Sequence, residues 1–178
     1  RQEDGSFSYM AGVAASDPDS TVKAIQGLML LGDDYAEEVE AAANWLKDQM
    51  DENGAIAVDW GSGPSANPSS TAQALIAFSQ KGEEPANEQG KTLYDGMMGF
   101  ALDDGSFKDV NYMTGNLEYS AYTSGQCFQA LVAYSRMANG QTAMFDLSDA
   151  TVTPGFGQEE QPDSSDVSSE EPSSDSSS

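Results

Sequence analysis

The sequence of 178 residues contains no histidine and a single cysteine, Cys127. The first absence removes the commonest general base and metal ligand. The second excludes an intramolecular disulfide and a cysteine cluster for metal, and leaves the redox compartment open. Positive charge is scarce: seven Lys and Arg stand against 30 Asp and Glu, a net charge of −23. Such a chain repels nucleic acid and anionic lipid headgroups. No apolar run approaches the roughly 20 residues that a membrane-spanning helix needs. No signal peptide is legible in the opening residues, which begin at Arg1.

What is present divides into two parts. Residues 157–178, GQEEQPDSSDVSSEEPSSDSSS, hold nine serines, seven acids, no basic residue and one aliphatic residue, Val167. This composition offers too little apolar surface to offset the entropy of ordering, and predicts a disordered acidic, Ser-rich linker. Residues 1–156 carry the remaining 23 acids and all seven basic residues, a charge of −16. They are long enough for one domain with a core of its own.

Within that domain the sequence repeats. One unit runs from Asp4-Gly5-Ser6-Phe7 through Asp17-Pro18-Asp19-Ser20-Thr21 to Ala24-Ile25. A second runs from Asn53-Gly54-Ala55-Ile56 through Asn67-Pro68-Ser69-Ser70-Thr71 to Ala74-Leu75. A third runs from Asp104-Gly105-Ser106-Phe107 through Ser120–Ser124 to Cys127-Phe128. The helical segments align at offsets of 50 and then 53 residues. The Asp-Gly and Asn-Gly dipeptides mark turns, because glycine accepts positive φ without strain. Each unit therefore reads as turn, variable loop, helix, break, helix, and no strand is assigned.

The first helix is apolar around most of its circumference up to Leu31, ends at Gly32, and is expected to lie inside. The segment Asp34–Met50 places Tyr35, Val39, Ala42, Leu46 and Met50 on one stripe, the pattern of an outer, amphipathic helix. The second unit predicts helices over Pro68–Gln80 and Asn87–Ala101, the latter weakened by Gly96 and Gly99. The third predicts one helix over Ala121–Ala138, closed by Asn139-Gly140. Alternating inner and outer helices with a period of about 50 residues describe a solenoid or a closed α/α barrel.

The turn Asp-Gly-Ser-Phe and the Ser-Thr helix start resemble the repeats of protein prenyltransferase β subunits and squalene/terpene cyclases. Residues 44–55, NWLKDQMDENGA, are similar to a degenerate form of the cyclase repeat signature. The closest flavour is the prenyltransferase-like repeat of surface proteins of gut Firmicutes, which "DPDST" and "ALVAYSR…NG" resemble. The resemblance covers residues 1–150. It implies an all-α fold, part of an α/α toroid shared also by cobalamin carriers and complement thioester domains. It further implies a secreted or cell-surface bacterial setting. Arg1–Gly5 aligns with the outer-helix end Gln49–Gly54, so further repeats of the same parent chain are expected upstream, this being the C-terminal part.

Several residues invite a chemical reading. The resemblance makes Asp17 and Asp19 of "DPDST" candidates for the cyclase acid, Asp19 as proton donor, with Ser20 in place of the family's last Asp. The competing reading is a helix cap: Asp17 as N-cap with Pro18 at N1. Asn67 and Ser120 hold the equivalent places and also cap well, while only one of the three is an acid, so the cap is favoured. A prenyltransferase-type zinc site of Asp, Cys and His cannot be assembled without histidine, and no cofactor is expected. Cys127 sits in "GQCFQ", faintly similar to a complement thioester, but it replaces Ala24 and Ala74 and reads as a packing residue. Asp51–Gly54 and Asp103–Ser106 lack the oxygen spacing of a calcium loop and read as acidic turns. Aromatic residues gather in the loops: Phe7, Tyr9, Trp60, Tyr112, Tyr119 and Tyr122. Packing between repeats is one use for them. The other is a ligand platform, with Tyr9, Trp60, Tyr112, Tyr119 and Tyr122 as the binding residues for a glycan or small molecule. The function expected is a non-catalytic binding or scaffold module, the alternative a degenerate or partial terpene cyclase or prenyltransferase.

Overall fold

A computed structural model describes residues 1–149 except Ala14, Trp60, Ser62 and Leu147; the acidic tail lies outside the described residues. The chain is mostly helical. Pro18–Leu31 forms α1, Ala36–Asp48 forms α2, Pro68–Lys81 forms α3, Leu93–Met98 forms α4 and Ala121–Ala138 forms α5. Helices α1, α3 and α5 pack side by side in that order, α2 covers α1, and α4 covers α3. Among the described residues no helix is long and apolar enough to cross a membrane.

Two expectations are corrected. The all-α reading omitted two antiparallel ribbons. Ala57–Asp59 (β1) pairs with Pro64–Ala66 (β2), and Lys108–Val110 (β3) pairs with Leu117–Tyr119 (β4). Strands of three residues are too short for an alternating pattern to stand out. The second outer helix spans Leu93–Met98, not Asn87–Ala101. Its N-terminal part is instead a turn in which the Asn87 side chain accepts from the backbone N–H groups of Gln89 and Lys91. Thr92 then opens α4 with a reciprocal capping box to Asp95. At the first outer helix the change is smaller: Asp33–Tyr35 form a 3-10 turn before α2.

Close backbone approach explains why the second outer helix carries Gly96. A Cβ on Gly96 would stand 2.2 Å from the Gly54 carbonyl carbon, and one on Gly54 would stand 2.2 Å from the Thr92 oxygen. Helix α4 thus lies backbone to backbone against the Asn53-Gly54 turn. In the first unit Gly5 makes the matching approach to α2, where a Cβ would meet the Ala41 oxygen at 2.8 Å. In the third unit no described residue stands within 4 Å of a Cβ on Gly105.

The core fills the space between the two helical layers. Ile25, Leu46, Ile56, Leu75, Phe78 and Met97 are all fully buried. Each such side chain contributes about 1.5–3 kcal/mol relative to exposure. Helix α3 is buried along almost its whole length, from Pro68 to Ser79. Helix α1 is not inner throughout: Leu30 and Leu31 are exposed despite the apolar run that predicted burial.

Candidate functional site

The three helix starts are built alike. Asp17, Asn67 and Ser120 each cap their helix, accepting from the backbone N–H of Ser20, Ser70 and Thr123 at 2.9, 2.9 and 3.2 Å. The Ser20 hydroxyl also bonds the Asp17 oxygen that caps the helix. Asp17 is thereby a structural residue. Four residues beyond each cap a hydroxyl performs a second task. Thr21, Thr71 and Ser124 accept from the backbone N–H of Phe7, Ile56 and Phe107, each at 2.9 Å. The cap residue's own N–H returns to the carbonyl of the same partner, at 3.0, 2.9 and 3.0 Å. This clamp fixes each turn to the following helix and so places the loops between them.

Those loops form a cleft of 510 Å³ at the end of the helical layer. Tyr112, Tyr119 and Tyr122, all exposed, line it together with Asp19, Asp109 and Glu118. The β3–β4 ribbon supplies Asp109 and Tyr119, its turn supplies Tyr112, and the first turn of α5 supplies Tyr122. The Thr123 hydroxyl donates to Asp109 Oδ2 at 2.5 Å. Glu118 accepts from Asn111 Nδ2 at 3.0 Å and from the Thr114 hydroxyl at 2.9 Å. These two bonds, Asn111 first, hold its carboxyl below the usual range. Among the described residues no Lys or Arg lines the cleft. Its chemistry is therefore that of aromatic faces beside hydrogen-bond acceptors, open to neutral or cationic ligands and unfavourable to diphosphates.

Asp19 is the exception among the acids. It projects from the start of α1 toward α3, and its Oδ1 is buried without a hydrogen-bond partner, as is the neighbouring Ser70 Oγ. Burial pushes its carboxyl up from 3.8; the Ser70 hydroxyl, close by but not in hydrogen-bonding geometry, offsets part of this, the Asp17 charge adds to it, and the Lys23 charge offsets a little more. The result is a carboxyl in the cleft lining whose ionisation is opposed by burial.

The expected aromatic platform divides. Tyr112, Tyr119 and Tyr122 come together. Tyr9 lies instead in a second cleft of 450 Å³, beside Trp45, Asp17 and Asp59. Trp60 lies outside the described residues, and Phe7 packs against the core. Sequence reasoning missed Asp109, Asn111 and Glu118. They occupy the β3–β4 ribbon and its turn, and without a strand assignment nothing in the sequence brought them beside Tyr122.

Cys127 is fully buried in α5, and its thiol points at the Pro68 carbonyl of α3 at 3.9 Å. Burial first, and the Asp109 charge second, push this thiol up to about 12. The acidic turns use their carboxylates internally. Asp51 accepts from the N–H groups of Asn53 and Ala55, and Asp104 from Ser106. Among the described residues no group of three or more potential ligands could hold a metal ion.

Compared with known proteins, the chain matches no family model, no curated protein and no solved structure.

Proposed function

We propose that this chain is a non-catalytic binding module whose cleft takes a neutral, hydroxyl-rich ligand of glycan type. The observation that carries this reading is the convergence of Tyr112, Tyr119 and Tyr122 with Asp109, Glu118 and Asn111 in one cleft that no described basic residue lines. Tyrosine rings offer flat apolar faces for the C–H side of a sugar ring, while carboxylates and amides accept and donate to its hydroxyls. The architecture we assign to it is part of an α/α toroid. Three side-by-side helices, each opened by the same clamp and two of them backed by an outer helix, support that assignment. The setting we propose is a secreted or cell-surface bacterial protein; the acidic body and the family resemblance support it. Titration calorimetry against a panel of neutral oligosaccharides tests the reading. Saturable binding that weakens about tenfold for Tyr119→Ala, a loss of about 1.4 kcal/mol, is expected. Binding of no saccharide, or unchanged binding by the variant, would overturn it.

A second reading draws on Asp19 as the proton donor of a degenerate terpene cyclase. Its raised pKa and unpaired buried oxygen favour that role. Against it, alkene protonation requires a dry cavity, and this cleft is open and lined by two further carboxylates. Turnover of a polyprenyl substrate, abolished by Asp19→Asn, is the result that would select this reading.

A further inference from the structure

Asp17-Pro18-Asp19 stands between two clefts. Asp17 and Pro18 line the cleft of 450 Å³ that holds Tyr9, and Asp19 lines the cleft of 510 Å³ that holds the three tyrosines. The two occupy equivalent places in successive units. Each sets the cap of one inner helix against the ribbon of the next unit. In the smaller cleft the cap is Asp17 and the ribbon residues are Val58 and Asp59. In the larger the cap is Asn67 and the ribbon residues are Asp109 and Val110. The matching bridges Met50–Ile56 and Ala101–Phe107 set the register in which Val58 answers to Asp109 and Asp59 to Val110.

The chemistry recurs while the aromatic side chains change their source. In the larger cleft they come from the β3–β4 ribbon, its turn and α5. In the smaller one Tyr9 comes from the first loop and Trp45 from α2, at the place where the second unit has Gly96. Tyr9 is 67% exposed and Trp45 half-buried, so both rings retain surface for a ligand. Gln49 adds an amide, which donates to the Trp45 carbonyl at 3.1 Å. Asp59 adds a carboxylate held by the backbone N–H groups of Gly61 and Gly63 at 2.7 and 3.0 Å. Among the described residues no Lys or Arg lines this cleft. It thus offers what the larger cleft offers, aromatic faces beside fixed polar groups.

We propose that the two clefts are consecutive subsites for one ligand, an oligosaccharide chain that passes the Asp17-Pro18-Asp19 corner and occupies both. The assignment rests on the saccharide reading of the larger cleft and narrows it from sugars in general to chains of several units. Helices packed side by side lie about 8–10 Å apart, and the clefts are one step of the row apart. A single sugar ring does not reach from one to the other, whereas a short chain does. Once one end is bound, the second subsite is filled at a high effective concentration.

Titration calorimetry of the full chain with cello-, xylo- and malto-oligosaccharides, from disaccharide to hexasaccharide, tests this. In the series that binds, affinity is expected to rise with chain length by about tenfold or more, at one hexasaccharide per chain. Tyr9→Ala is expected to remove that gain, so that the hexasaccharide binds no better than the disaccharide. Tyr119→Ala is expected to weaken every length. Gln49→Ala repeats the design should Tyr9→Ala lose its circular-dichroism signal. Affinity independent of chain length, or a hexasaccharide held as tightly by Tyr9→Ala as by the native chain, would overturn the two-subsite groove and leave the saccharide reading of the larger cleft standing. Two hexasaccharides per chain would overturn it as well, since the clefts would then be separate sites. No binding in any series, or no effect of Tyr119→Ala, overturns the saccharide reading and the groove with it.

Discussion

Asp19 in the cleft lining and Cys127 in the helix behind it both have their proton held more tightly by burial, and both yield direct tests. Asp19 has its folded pKa raised above 3.8 by burial. The folded state therefore holds this proton more tightly than the unfolded chain, and stability falls as pH rises through the folded value. Asp19→Asn fixes the neutral form. Its melting temperature is expected to exceed that of the wild type at neutral pH, and the difference to vanish below 3.8, where both states of the wild type are protonated. Differential scanning calorimetry across that range measures it. Asp149 works in the opposite direction. Bonds from Thr142, then the Arg136 side chain, lower it to about 2. Its stabilisation is present above the usual 3.8 and is lost as pH falls through about 2. Cys127, with its thiol near 12, is expected to resist a thiol-specific disulfide reagent at pH 8 in the native chain, where the thiolate fraction is about 10⁻⁴. It should react fully once denaturant is added.

At the scale of elements, the units depend on hydroxyl clamps and on turn glycines. Removing the Thr71 hydroxyl by Thr71→Val leaves the buried Ile56 N–H without its partner. A loss of about 1–3 kcal/mol is expected, read as a lower urea midpoint. Gly96→Ala drives a methyl group into the Gly54 backbone, so α4 must move away from the turn. A cost of about 1–3 kcal/mol or more follows, whereas Gly125→Ala, which meets nothing within 4 Å, should be neutral or slightly stabilising. These features divide what the sequence made legible from what it hid. Proline after Asp17 and Asn67, and the Ser120 alignment, located three helix starts, because capping is a local requirement written in adjacent residues. The recurrence of Ser20-Thr21 beside Ser70-Thr71 was visible too, but its purpose was not, since the clamp partners lie 14 and 15 residues away. Gly96 announced a weak helix and gave no hint of the turn it abuts. The β3–β4 ribbon was hidden by its brevity, and with it the acidic half of the cleft.

At the scale of the molecule, burial is graded from the middle outward. Helix α3 is flanked by α1 and α5 and covered by α4, while among the described residues α1 and α5 each have one side without a packed helix. Stability should be graded in the same order. In native-state hydrogen exchange the amides of Leu75 and Phe78 are expected to exchange last, near the rate set by global unfolding, and those near Leu31 and Met137 much sooner. Equal protection in all three inner helices would mean that the row opens as one unit.

The empty space beside Gly105 has a consequence of a different kind. Gly5 and Gly54 are hemmed in by α2 and α4, so sequence drift at those turns is confined to glycine. Gly105 faces no such wall. Only its φ of +84° constrains it, and asparagine meets that demand nearly as well. Of the three equivalent turns at Gly5, Gly54 and Gly105, the third is the one that can be lengthened, decorated or joined to another polypeptide without disturbing a described neighbour, which makes it a seat for an inserted tag or reporter.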